Sequence, residues 1–183
     1  RWKFYLWKVG YYLSNKLLSP KTMKRVSSPG KYNATLNDYL REVHCACPKC
    51  GGNAVITADS KYALPWQPLD VSLICHNCPH REGWPNSSWQ SDFVNYNPAS
   101  GVEPYFGYTL SLQISIKGQS FCVFSPVHAK DIAEYIAATD RPSPANSKWA
   151  MVNRLPTWVK LAKNRSVVLR SIEKLTSHAA RMA

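Results

Sequence analysis

The chain has 183 residues, 45% of them apolar, and carries Lys+Arg 23 against Asp+Glu 11 for a formal net charge of +12. That length bounds the answer to one ordinary domain or two small ones, and the apolar share excludes wholesale disorder. The charge is uneven: residues 1–37 hold eight Lys/Arg and no acid, residues 141–183 hold nine and one, and residues 38–140 hold six basic against ten acidic residues. Basic ends attract polyanions, either nucleic acid or an anionic membrane surface; a solvated, soluble surface is the plainer reading of the same charges.

Residues 2–18 combine aromatic and aliphatic side chains with basic charges alone, and Trp2, Tyr5, Leu6, Val9, Tyr12 and Leu13 follow helical spacing. Such a helix is either clamped by a partner surface or lies at a membrane interface; it is too short and too charged to span a bilayer. The chain begins at Arg1, and Met23-Lys24-Arg25 offers a natural start, which would make residues 1–22 foreign to the fold. Ser19 to Asn33 reads as a linker, so residues 1–33 form a basic aromatic arm. Leu36, Tyr39, Leu40 and Val43 then space as one short helix.

Cys47-Pro48-Lys49-Cys50 and Cys75-His76-Asn77-Cys78 follow, two Cys-x-x-Cys pairs with 24 residues between them. One such pair is a weak signal, but two at this separation point to a four-thiolate Zn²⁺ site. Gly51-Gly52 lets the backbone turn and aim N–H groups at sulfur. Ala54–Thr57 and Val71–Ile74 read as two short strands. The outline over residues 34–84 is a zinc ribbon: knuckle, hairpin, knuckle. A closed four-sulfur site has no open position, so the metal would be structural and the chain not an enzyme. Reduced, unliganded cysteines or a redox pair are the alternatives. Cys45 with Cys50 could also bind, and His44, His76 or His80 could replace a thiolate. Pro48 and the Gly pair favour Cys47 and Cys50, which leaves Cys45 as a spare thiol and the histidines beside the site. Lone Cys122 reads as a small hydrophobe. Reduced thiols and the lack of a secretory signal imply an intracellular, cytoplasmic setting.

Residues 85–103 form a second irregular stretch, and residues 104–178 a hairpin-and-helix unit. Leu110, Leu112, Ile114 and Ile116 alternate with polar residues, Lys117-Gly118 makes the turn, and Gln119 to Phe124 returns. Ser125-Pro126 looks like an N-cap followed by Pro at the first helical position, and Ile132, Tyr135 and Ile136 give the next helix its buried stripe. Leu155 to Leu175 is one helix or a pair. As one helix, Trp158, Leu161, Val168, Leu169, Ile172 and Leu175 share a face with Arg165 inside it. A break at Asn164, a good N-cap, resolves that conflict better than a buried partner for Arg165. The fold class expected is α+β, a four-cysteine zinc ribbon followed by a small β-hairpin-plus-helices domain.

Two blocks carry a family resemblance. Glu103-Pro104-Tyr105-Phe106-Gly107-Tyr108 with Leu110-x-Leu112-Gln113 is the first, and Arg154-Leu155-Pro156-x-Trp158-x-Lys160-x-Ala162-Lys163-Asn164-Arg165 the second. Together with the upstream knuckles they resemble small bacterial proteins that contain a TFIIB-type zinc ribbon, over roughly residues 31–176. The resemblance implies bacterial or phage-related origin and an intracellular setting, but no activity. The strand Phe121-Cys122-Val123-Phe124 and the N-terminal arm depart from that pattern.

Ribbons touch nucleic acid with exposed Lys/Arg and aromatics, charge meeting phosphate and rings stacking on bases. The candidates here are Lys61, Trp66 and Arg81 around the ribbon, and Arg154, Lys160, Lys163, Arg165, Arg170 and Lys174 in the C-terminal segment. Packing under the ribbon is the plainer role for Trp66 and Trp84, and a solvated helix face the plainer role for the C-terminal cations. The leading expectation is a nucleic-acid-binding accessory protein, DNA or RNA, that grips backbone phosphates. The alternative is a protein-interaction adaptor, membrane-peripheral through residues 2–18. Catalysis is disfavoured: the acids are scattered, Ser120 and Ser125 lack visible His or Asp partners, and there is no Gly-rich phosphate loop or deaminase signature. No small-molecule substrate is expected.

Overall fold

A computed structural model of the chain describes residues 33–60, 68–84, 100–141 and 150–182. The expected arm helix at 2–18 and the site candidates Lys61 and Trp66 lie outside them. Strands and helices are both present, so the α+β class holds. A 3-10 helix, Leu36–Tyr39, leads into a four-stranded antiparallel sheet of β1 (Glu42–Ala46), β2 (Asn53–Ser60), β3 (Pro68–Cys75) and β4 (Arg81–Trp84), in the order β1-β2-β3-β4. A two-stranded hairpin, β5 (Gln113–Ile116) and β6 (Gln119–Cys122), precedes α1 (Pro126–Ala137), α2 (Met151–Arg154), α3 (Thr157–Lys160) and α4 (Arg165–Met182).

The sheet forms where period-two burial allows one face to dry. Val43, Ile56 and Leu73 stand opposite one another across β1, β2 and β3, as do Cys45, Ala54 and Cys75, and all six are buried. The other face carries Glu42, Thr57 and Ser72 in register, with the two hydroxyls 2.9 Å apart. The reading of Leu36 to Val43 as one helix is corrected here. The helical turn ends at Tyr39, and Val43 lies in β1. Tertiary pairing decides this, since β1 has partners on both edges. On the edge away from β2, His44 N–H donates to the Phe124 carbonyl at 2.7 Å, Ala46 N–H to the Thr109 carbonyl at 2.8 Å, and Ser111 N–H returns to the His44 carbonyl at 3.1 Å.

The hairpin is shorter than the alternation implies. Leu110 and Leu112 are buried but lie outside β5; Leu110 instead bridges to Cys45. Its turn is as expected, with Lys117 at φ 52 and Gly118 at φ 76, the left-handed pair that a tight hairpin needs. Ser125 caps α1 by accepting from the His128 N–H at 3.3 Å, and Pro126 takes the first position. Ile132 and Ile136 are buried as expected, whereas Tyr135 is half-buried. On α4, Val168, Ile172, Leu175 and Ala179 form the buried stripe at spacings of three and four. One hydrophobic cluster joins residues of the sheet, the hairpin and the helices, among them Ile56, Leu73, Phe121, Ile132 and Ile172.

The expected interruption of the C-terminal segment is real and comes earlier than Asn164 as well as at it. α2 ends before Leu155-Pro156, α3 ends before Leu161, and a 3-10 turn over Ala162–Asn164 opens α4. Leu161, assigned to a shared apolar face if the segment were one helix, is exposed. Asn164 uses its buried amide to join elements: Oδ1 accepts from Lys117 Nζ at 2.8 Å, and Nδ2 donates to the Trp158 carbonyl at 2.8 Å. Trp158 meets Phe121 edge-on.

Candidate metal centre

Each knuckle is closed by the same pair of interactions. The first-cysteine N–H donates five residues ahead, Cys47 to the Gly52 carbonyl at 2.8 Å and Cys75 to the His80 carbonyl at 3.0 Å. The N–H two residues on donates to the first sulfur, Lys49 to Cys47 Sγ at 3.4 Å and Asn77 to Cys75 Sγ at 3.3 Å. Gly52 N–H does the same for Cys50 Sγ at 3.4 Å, and the His80 backbone serves Cys78. Gly51, at φ 70, takes the left-handed turn that leaves the first knuckle. The two knuckles are held side by side because β2 and β3 pair up to Ala54 and Cys75, so the ends of one hairpin deliver all four cysteines to one place.

The Sγ atoms of Cys47, Cys50, Cys75 and Cys78 lie within 4.8 Å of one another. Cys47 and Cys78 sulfurs are 3.8 Å apart, and those of Cys50 and Cys75 3.6 Å. Thiolates at about 2.3 Å from a tetrahedral Zn²⁺ sit about 3.8 Å from each other, so the cluster fits such an ion, and the donor set suits soft, borderline metals. Cys47 and Cys75 are buried, Cys78 is half-buried and Cys50 is exposed.

Protonation divides the four. Burial raises the Cys75 thiol, but the N–H groups of Asn77 and Cys78 and the thiols of Cys50 and Cys78 outweigh it and bring it down to about 7. Cys47 is also lowered: its burial is outweighed by the N–H groups of Lys49 and Cys50. The His80 N–H favours the Cys78 thiolate, yet burial and proton sharing with Cys50, Cys75 and Cys47 push it up to about 12. Cys50 is raised as well, against the N–H of Gly52 and the Cys78 thiol, by burial and by Cys75 and Cys47. Four thiolates in one small volume need a cation to coexist.

Cys45 is separate from this group. It is fully buried on β1, and desolvation, then Glu103, raises its thiol to about 12. The histidines also do other things. His44 Nε2 is 3.0 Å from Glu42 Oε1, His76 is exposed, and His80 Nε2 lies 3.5 Å from Glu82 Oε2. Cys122 is half-buried in β6.

The nucleic-acid candidates fall on several elements. Arg81 is exposed at the start of β4, and Arg154 is exposed at the end of α2. Lys160 is half-buried at the end of α3, Lys163 is exposed in the 3-10 turn, and Arg165, half-buried, begins α4. Arg165 Nε is buried without a hydrogen-bond partner among the described residues. Arg170 and Lys174 are exposed one turn apart on α4, with Arg170 Nε donating back to the Ser166 carbonyl at 3.3 Å. Apart from Arg81, these cations share one end of the chain, spread over α2, α3, the 3-10 turn and α4.

Two organising residues escaped the sequence reading. Glu103, 1% exposed, accepts from the N–H groups of Tyr105 (2.6 Å), Phe106 (3.0 Å) and Tyr108 (2.7 Å) and so winds the Glu103–Tyr108 loop around its carboxylate. Desolvation raises its carboxyl above the ordinary range, against those N–H donors. A lone acid ahead of Pro104 and Gly107 was the available signal. Arg141 donates to the carbonyls of Ile136, Ala138 and Lys160 at 2.9, 3.2 and 3.0 Å, tying the end of α1 to the end of α3. No helix among the described residues is long and apolar enough to cross a membrane. No known protein-family model, curated protein or solved structure matches this chain.

Proposed function

We propose that the chain is an intracellular zinc-ribbon protein that binds nucleic acid, mainly through backbone phosphates. The observation that carries this reading is the four-sulfur cluster of tetrahedral size, served by a backbone N–H at every sulfur. Cys47, Cys50, Cys75 and Cys78 would hold Zn²⁺, which would cross-link the knuckles at the two ends of the β2–β3 hairpin and leave no coordination position for substrate. The nucleic-acid part is supported by charge: Arg154, Lys163, Arg170 and Lys174 are exposed within a C-terminal segment where Glu173 is the single acid. A protein-docking role draws less support among the described residues, where the exposed large apolar residues Ile74, Val127 and Leu161 sit apart, in β3, in α1 and between α3 and the 3-10 turn, and isolated apolar residues are ordinary on a surface.

The test is retention on single- and double-stranded DNA and RNA against salt. Binding should fall steeply between low and physiological salt, and Lys163→Glu with Lys174→Glu should weaken it uniformly across sequences and reduce the salt slope by about 2. Retention unchanged by both would sink the nucleic-acid reading and favour the adaptor.

A further inference from the structure

We propose that Asn77 is a positioning residue for the four-sulfur metal site, the side chain that registers one knuckle against the other; this rests on the metal reading above. The β2–β3 ladder ends at Ala54 opposite Cys75. One step beyond it, His76 N–H still donates to the Asn53 carbonyl at 3.0 Å, as a continuing ladder would. The reciprocal bond has no strand to supply it, because the chain after Cys75 turns into its knuckle. The Asn77 side chain takes that place: its Oδ1 accepts from the Asn53 N–H at 2.9 Å. Asn53 is buried, 4% exposed, so without this acceptor its N–H would be stranded.

The first knuckle is shaped to receive that side chain. A Cβ on Gly52 would stand 2.6 Å from Asn77 Oδ1 and 2.8 Å from Asn77 Cβ. Gly52 is therefore required by the neighbouring knuckle, in addition to any turn it makes. Asn77 also gives its own N–H to Cys75 Sγ, while Gly52 gives its N–H to Cys50 Sγ. The residues that touch across the gap are the same ones that orient a sulfur on each side. The sulfurs they orient, those of Cys50 and Cys75, are 3.6 Å apart. Outer groups that aim metal ligands typically change metal affinity 10- to 100-fold when removed.

The experiment measures Zn²⁺ affinity of the full chain by competition with a chromophoric chelator, and the Co²⁺ absorption spectrum, for the parent, Asn77→Ala, Asn77→Asp, Asn77→Gly, Gly52→Ala and the double variant Asn77→Gly/Gly52→Ala. Asn77→Ala is expected to weaken Zn²⁺ by about 10- to 100-fold and to shift the Co²⁺ d–d bands, with far-ultraviolet circular dichroism of the loaded protein unchanged. Asn77→Asp, which keeps the accepting oxygen, should restore affinity to within about 3-fold, the scale on which such contacts vary with context. Gly52→Ala should weaken binding in the parent but add little to Asn77→Gly, which removes the Oδ1, Cγ and Cβ that the added Cβ would meet. Independent, multiplying effects of Gly52→Ala and Asn77→Gly, or Asn77→Ala at parental affinity, would overturn the proposal. A parent that binds neither Zn²⁺ nor Co²⁺ would overturn the metal reading itself, and this proposal with it.

Discussion

Replacing Glu103 by alanine removes the acceptor shared by the N–H groups of Tyr105, Phe106 and Tyr108. A buried donor left unpaired costs about 1–3 kcal/mol. Three independent losses would exceed what single substitutions usually show, and the loop can open to let water reach some of the three. We therefore expect Glu103→Ala to lose about 3–5 kcal/mol in urea unfolding of the metal-loaded protein at neutral pH. Glu103→Gln keeps one carbonyl oxygen. In the geometry of Oε1 that oxygen still serves Phe106 and Tyr108 and strands Tyr105 alone, so the loss should be about half as large, near 1–3 kcal/mol. The effect should extend beyond the loop: Tyr108 O–H donates to Glu82 Oε2 at 2.8 Å, and Thr109 to Ser111 seal the edge of β1. Hydrogen exchange at His44 and Ala46 should accelerate in Glu103→Ala. A loss below about 1 kcal/mol for alanine, or glutamine as damaging as alanine, would refute the view that the carboxylate organises this loop.

Arg141→Lys should cost about 2–3 kcal/mol in the same assay, because an ammonium cannot span the Ile136, Ala138 and Lys160 carbonyls as the guanidinium fork does; parental stability would show the tie between α1 and α3 to be dispensable. His128, fully buried against Tyr39 and Phe124 and near Asp131, is held down to about 3 by desolvation, so its contribution is present above pH 6.5 and is lost as pH falls through the interval toward about 3. Between pH 7 and pH 5 this group should cost about 2 kcal/mol, and the acid slope should flatten by that amount in His128→Gln, which keeps an acceptor for the Phe124 N–H but takes no charge; an unchanged slope would show that His128 titrates normally.

The features legible in the sequence were those set by local chemistry. Paired Cys-x-x-Cys spacing located the four sulfurs, Lys117-Gly118 announced a left-handed turn, and Ser125-Pro126 announced a helix start. What stayed hidden depended on partners remote in sequence. Val43 sits at helical spacing from Leu36, Tyr39 and Leu40, and becomes strand because residues 109–111 and Phe124 hydrogen-bond the edge of β1. β4 was missed because Arg81–Trp84 has little pattern of its own and is defined by pairing to β3. Asn164 reads as a cap, yet its amide is committed to Lys117 and Trp158. Asn77 looks like any residue inside a knuckle until Gly52 is placed beside it. The basic C-terminal residues were legible as charge, but their distribution over α2, α3, the 3-10 turn and α4 was not, since the breaks at Leu155-Pro156 and Leu161 rearrange them.

X-ray absorption at the zinc edge of protein purified without added metal tests the central assignment most directly. One Zn per chain with four sulfur scatterers at about 2.3 Å is the predicted result, and the signal should be lost when Cys47 and Cys75 are both replaced by serine. No stoichiometric metal, or a first shell containing nitrogen or oxygen, would contradict a closed four-sulfur centre.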